Sequence, residues 1–298
     1  MRDMNGRVVD NVDNVDCVNK TPALYVVATP LGNLADITLR ALELLRAVDA
    51  IACEDTRHTR RLLDHYEIRA PLFALHEHNE AGAARKLIGL LAAGKRVALV
   101  SDAGTPGVSD PGARAVSAVR AAGYPVIPLP GANAAIAALS AAGLTDPQFL
   151  FVGFLSAKTT ARREKIESLR STPAVLVFYE APHRIVDTIA DLAELLEPQR
   201  TLVVARELTK LFEQIASMPL AEAPAWLAAD PNRQRGEFVL LVSAAPPAEG
   251  LPADVLRILK LLLAELPLKQ AVKLAAEISG TPKNALYDQA LAWKEGKL

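Results

Sequence analysis

With 298 residues, 51% of them hydrophobic, and a formal net charge of −1, the chain can build two domains with sizeable cores, which excludes global disorder. The near-neutral charge excludes a whole-molecule electrostatic footprint for nucleic acid or membrane, leaving any such binding to local patches. Cys17 and Cys53 are too few for a disulfide framework or a zinc site, and no apolar run reaches the ~18–20 residues that span a bilayer, so a cytoplasmic protein without metal is expected.

In chain order, residues 1–21 repeat DNV and lack the apolar core of a signal peptide, so a disordered tail is expected. Strands are predicted at 23–29, 50–53, 72–75, 97–101 and 126–129. Helices are predicted between and after them, at 37–47, 56–66, 81–93, 112–122 and 132–142. This alternation implies a mostly parallel sheet covered on both faces, forming a domain over 22–143. The loop GLTDPQ at 143–148 marks the boundary. A second α/β domain over 148–245 follows, with strands at 149–154, 174–179, 202–205, 212–216 and 238–243 and helices at 161–169 and 183–196. PPAEGLP at 246–252 is a linker. Three helices, 254–266, 269–279 and 283–294, complete a tail over 252–298, the last two joined by a turn at Gly280. That pattern is helix-turn-helix-like, and a plain three-helix packing element accounts for it equally well.

The chemistry-bearing residues gather where strands end. RVALVSDAGTPGVSDPG at 96–112 runs a buried strand into a loop stiffened by Pro106 and Pro111 and made permissive by Gly104, Gly107 and Gly112. Two aspartates and no lysine between 101 and 112 argue against a phosphate cradle and suit a neutral or cationic ligand; Asp110 and Pro111 read as structural. Similar Gly/Pro loops follow the first strand (TPLGN, 29–33) and the last strand of the half (PLPGAN, 128–133). Three such loops on one sheet predict a shared ligand edge. Asn33 and Asn133 suit either ligand contacts or helix N-caps.

Two segments are basic. Arg57, Arg60 and Arg61 share a helix face with Asp64, which fits phosphate contacts on RNA or a solvated surface. Arg162 and Arg163 lie in a second basic run, diluted by Glu164 and Glu167. His58 and His183 invite assignment as bases, although an isolated histidine is more often structural. No Ser-His-Asp order, HExxH motif or Cys/His cluster occurs, which disfavours hydrolases and metalloenzymes.

TPLGN, EDTR at 54–57, SDAGTPGVSDPG, GFL at 153–155, FYEAPHR at 178–184, RELTK at 206–210 and GEFV at 236–239 together resemble, in order and spacing, the ribosomal RNA small subunit methyltransferase I family of the tetrapyrrole methylase superfamily. The resemblance covers about residues 23–298. It implies two α/β domains of class III methyltransferase type plus a small helical domain, and S-adenosylmethionine-dependent 2′-O-methylation of a cytidine ribose in 16S rRNA of the 30S subunit by a homodimer. By motif, Pro30, Leu31 and Gly32 would touch the cofactor. Asp102, Gly104 and Thr105 would lie beside it, Asn133 and Ala134 would reach its adenosine or methionine part, and Tyr179 and Leu208 would close the pocket. Arg57, Arg60, Arg61, Arg162 and Arg163 would meet RNA. Ser156 departs from the Pro that often follows GFL, and Asn133 from the family's usual Ser or Cys. A base would assist a weakly nucleophilic ribose hydroxyl; Glu54 is the first candidate and His183 the second. A tetrapyrrole or protein-side-chain methyltransferase on the same fold is the alternative, and a ligand-sensing DNA-binding protein is a remoter one.

Overall fold

The structure, a computed structural model, describes residues 21–76, 78–246 and 251–294. The expected N-terminal tail lies, apart from Thr21, outside the described residues. The chain divides into two compact units, residues 1–244 and 245–298.

The first unit contains two sheets. Strands β1 (Leu24–Val27), β2 (Ala50–Cys53), β3 (Leu72–Ala74), β4 (Val97–Val100) and β5 (Val126–Leu129) form an entirely parallel sheet in the order β3-β2-β4-β1-β5. Helices α1 (Leu39–Ala47), α2 (Thr56–His65), α3 (Glu80–Ala92) and α4 (Ala113–Ala121) return the chain between strands. Side chains alternate along β1: Tyr25 and Val27 join the core under α1 and α2 with Leu44, Leu45 and Leu63, while Leu24 joins Leu87, Leu91 and Val119 under α3 and α4. Both faces are thereby buried, as a parallel sheet requires.

The second sheet, in the order β6-β7-β10-β8-β9, is mixed. It comprises β6 (Phe149–Phe154), β7 (Val175–Glu180), β8 (Thr201–Arg206), β9 (Gln214–Pro219) and β10 (Phe238–Val242). Only β6 and β7 run parallel; β10 pairs antiparallel with both β7 and β8, and β9 with β8. Helix α6 (Thr159–Ser168), helix α7 (Ile185–Leu195) and a short α8 (Ala223–Ala228) that the sequence pattern does not reveal cover one face. The other face is covered by α5 (Ala134–Ala141), whose Ala135 and Ala138 pack on Val175, Val177, Val203 and Val239. The helix expected to close the first domain is thus packed on the second sheet. Its small side chains allow a close approach, and its N-terminus lies where β5 ends. The last strand of the hairpin is displaced from the expected 212–216, because Leu211 and Phe212 sit in the preceding loop, 89% and 66% exposed.

The second unit consists of α9 (Ala253–Glu265), α10 (Leu268–Ser279) and α11 (Lys283–Lys294) around Val255, Leu259, Val272, Ala275, Leu286 and Ala290. Gly280, at φ 70°, makes the left-handed cap that turns α10 into α11. No described helix is long and apolar enough to cross a membrane.

Candidate active site

Strands β4, β1 and β5 are neighbours, so the loops following them meet at one edge and are tied together by hydrogen bonds. Thr29 and Gly104 exchange backbone N–H···O=C bonds, each 2.9 Å. The Thr29 hydroxyl donates to Ser101 O at 3.0 Å, and the Thr105 hydroxyl donates to Ala132 O at 2.9 Å. Gly104 sits at φ 81°, a backbone state that disfavours a side chain, and a Cβ there would press on Leu31 at 3.3 Å. Asn33 and Asn133 both act as N-caps, their side chains accepting from Ala35 N and Ile136 N.

This edge forms one wall of a cleft of about 310 Å³, with Leu31, Gly104, Thr105, Val108, Asp110, Asn133 and Ala134. The opposite wall comes from the second sheet and includes Phe154, Tyr179, Glu180, Leu208, Glu237 and Val239. The Tyr179 ring stands edge-on to Phe151 and Phe154, with centroids 5.0 and 5.6 Å away. Its hydroxyl accepts from Ala135 N at the start of α5, and burial raises its pKa, so the phenol keeps its proton. Leu208 is presented between Glu207 and Thr209, both in left-handed backbone at φ 51° and 67°. Non-glycine residues in that region are strained, and such strain collects at functional sites.

Cleft carboxylates differ in their partners. Glu180 is buried and held by the Arg184 guanidinium at 2.7 Å and the Thr188 hydroxyl at 2.6 Å. Glu237 accepts from Lys210 Nζ at 2.7 Å, and Lys210 also binds Glu207 at 2.9 Å. Asp110 has no ion pair among the described residues. Burial and the neighbouring Glu54 and Asp102 push its carboxyl up to about 6, against a hydrogen bond with Ser101 that lowers it. Burial, Asp102 and Asp55 likewise raise Glu54, with His76 opposing.

Leu31, Gly104, Thr105, Asn133, Ala134, Tyr179 and Leu208 come together, lining one cleft. Pro30, Gly32 and Asp102 are not among the residues that line the cleft. Pro30 is buried, Gly32 packs under the Lys210 side chain, and Asp102 accepts the Asp55 N–H at 3.1 Å, fixing the turn into α2. Glu54 is half-buried beyond Asp110, and His183 is exposed; neither lines the cleft. Asp110, read as structural from sequence, does line it. The signal that could have found it is its place in the same loop as Gly104 and Thr105.

The arginines separate. Arg57 is exposed and paired with Asp55 at 2.8 Å, Arg60 is half-buried and reaches Ala70 O at 3.4 Å, and Arg61 is exposed. Arg162 is a correction. It is only 3% exposed and its guanidinium bonds Asp191 at 2.6 Å, so it is part of the core and out of reach of RNA. Arg163 is largely consumed by Asp191 and Glu194, at 2.7 and 2.6 Å.

Two sheets facing each other across a loop-lined cleft, in a chain whose residues 23–224 match a methylase family, make this a methyltransferase of the tetrapyrrole methylase type. Residues 23–224 match the family described as Tetrapyrrole (Corrin/Porphyrin) Methylases, and residues 249–294 the one described as RsmI C-terminal HTH domain. The fold is shared with a solved cobalt precorrin-4 methyltransferase, at TM-score 0.56 and 16% identity over 74% of this chain and 94% of that one. The ribosomal RNA small subunit methyltransferase I of Pseudomonas aeruginosa is 52% identical over 277 residues, 92% of this chain and 98% of the relative. Its namesake in Escherichia coli O157:H7 is 54% identical over 274 residues, 92% and 96% of the two chains. The chain belongs to the ribosomal RNA small subunit methyltransferase I family.

Proposed function

We propose that this chain methylates the 2′-hydroxyl of a cytidine ribose in 16S rRNA of the small ribosomal subunit, using S-adenosylmethionine. The observation that carries the reading is the cleft itself, combined with relatives about half identical over nearly the whole chain that are named for this RNA.

The cleft suits a sulfonium cofactor. Lys210, which binds the cleft residue Glu237, is already neutralised by two glutamates, and Asp110 contributes a carboxylate without a counter-cation among the described residues. Leu31, Val108, Leu208 and Val239 supply apolar walls for a nucleoside, and the backbone beside Gly104 and Ala134 supplies polar edges. When bound, S-adenosylmethionine supplies an electrophilic methyl group. The chain's residues hold the acceptor in line with that methyl and exclude water, the arrangement on which such a displacement mainly depends. Phe154, 53% exposed at the cleft with the Arg184 guanidinium 5.5 Å from its ring, offers a stacking face to an unstacked pyrimidine. Arg60 and Arg61 on α2, and the helix-turn-helix unit, supply contacts to RNA outside the cleft. The protein acts as a homodimer, a reading supported by the apolar Leu211 and Phe212 left in the open.

The test is transfer of isotopically labelled methyl from the cofactor to small subunits from a strain lacking the gene. Label recovered as 2′-O-methylcytidine is the expected result. Label in a base, in protein, or in an added porphyrinoid and not in ribose would overturn the assignment.

A further inference from the structure

We propose that Asp110 accepts the proton of the ribose 2′-hydroxyl during methyl transfer, an inference that rests on the function proposed above. Among the described cleft carboxylates, Glu180 is tied to Arg184 and Thr188, and Glu237 to Lys210. Neither is free to take a proton without giving up its cation. Asp110 faces Glu54 from the end of β2, Asp102 and the Ser101 hydroxyl from the end of β4, and the Tyr179 phenol from β7. None of these is a cation, and His76 acts on Glu54.

A half-buried carboxylate in that company is driven towards its protonated form. Burial first, then Glu54 and Asp102, hold it near 6. A group so tuned is mostly ionised at neutral pH yet more basic than an ordinary aspartate, the compromise a general base needs. Glu54 then raises the basicity of Asp110 from behind, as a positioning residue, and His183 has no part in the step. As the ribose oxygen–methyl bond forms, the methyl–sulfur bond breaks with its electron pair left on sulfur. The hydroxyl proton passes to the Asp110 carboxylate and from there to water.

Asp110→Asn is nearly isosteric, and its stability checks both its folding and the tuned carboxyl. Because the folded-state pKa lies above the unfolded one, ionisation destabilises the wild type as pH rises from about 4 to about 6, and the deficit persists at higher pH. Asp110→Asn should therefore melt above wild type at pH near 8 and at the same temperature near pH 4. Single-turnover methylation of unmethylated small subunits is then followed from about pH 5 to 8 with saturating cofactor, and cofactor affinity is measured by calorimetry. The cationic cofactor lowers the carboxyl's pKa, so the wild-type rate should fall off at or below about pH 6. Asp110→Asn should lose about a hundredfold or more in rate and lose that acid limb. Its cofactor affinity should fall by about tenfold at most, far less than the rate, because the lost charge faces a cationic cofactor. A rate within about tenfold of wild type with the limb intact overturns the inference. So does a fall in cofactor affinity that matches the fall in rate, which would make Asp110 a cofactor contact. These outcomes leave the proposed function standing. A wild type that places no methyl on ribose removes the function and this inference together.

Discussion

Helices α2 and α6 each carry a short run of arginines near a strand end, and the fold uses them in opposite ways. On α6, the neighbouring α7 presents Asp191 and Glu194, which take up Arg162 completely and Arg163 largely. On α2, the one acidic partner among the described residues is Asp55, the helix's own N-cap, which binds Arg57 and leaves Arg61 exposed. A basic string therefore says little about nucleic acid until the element packed across it is known. The carboxylates that decide the matter lie 28 to 31 residues further along the chain.

Substitutions on the two helices should differ in kind and size. The largest effect is expected at Arg162→Met, which leaves the buried Asp191 with only the partly exposed Arg163. Removing one member of a buried pair costs about 3–5 kcal/mol, so the midpoint of chemical denaturation should fall steeply. A variant as stable as wild type would place Arg162 outside the core. Next, Arg60→Glu combined with Arg61→Glu should weaken binding to small subunits by about tenfold or more and flatten its dependence on salt. Cofactor affinity should not change; equal losses of both would make the stripe structural. The smallest effect belongs to Arg57→Ala. Its cation is already paired with Asp55, whose carboxyl is held well below the usual range by that contact, so subunit affinity should change by less than about twofold. A tenfold loss would show that RNA displaces Asp55 and recruits Arg57.

The same distinction explains what could be read from the sequence. The three ligand loops were legible because strand ends rich in glycine and proline are local signals, and β4, β1 and β5 prove to be adjacent. Parallel order in the first sheet followed from alternation of strand and helix. Properties that depend on long-range packing were hidden. The seating of α5 on the second sheet depends on what Ala135 and Ala138 meet, and the antiparallel pairing of β10 leaves no mark on its all-apolar sequence. Glu80 is another case. It is buried, and its Oε1 accepts N–H groups of Gly112, Arg114 and Ala115, anchoring the far end of the 101–112 loop. From the sequence, Asp110 and Pro111 read as structural. The place of Asp110 in the cleft, opposite neutralised glutamates of the second sheet, appears only when both sheets are assembled.

Methylation of ribose in small-subunit RNA by this cleft can be read by mass-spectrometric mapping of ribose methylation in 16S rRNA from cells with and without the gene. One 2′-O-methylcytidine should disappear on deletion and return with the wild-type chain. An unchanged set of ribose methylations in the deletion strain would contradict it.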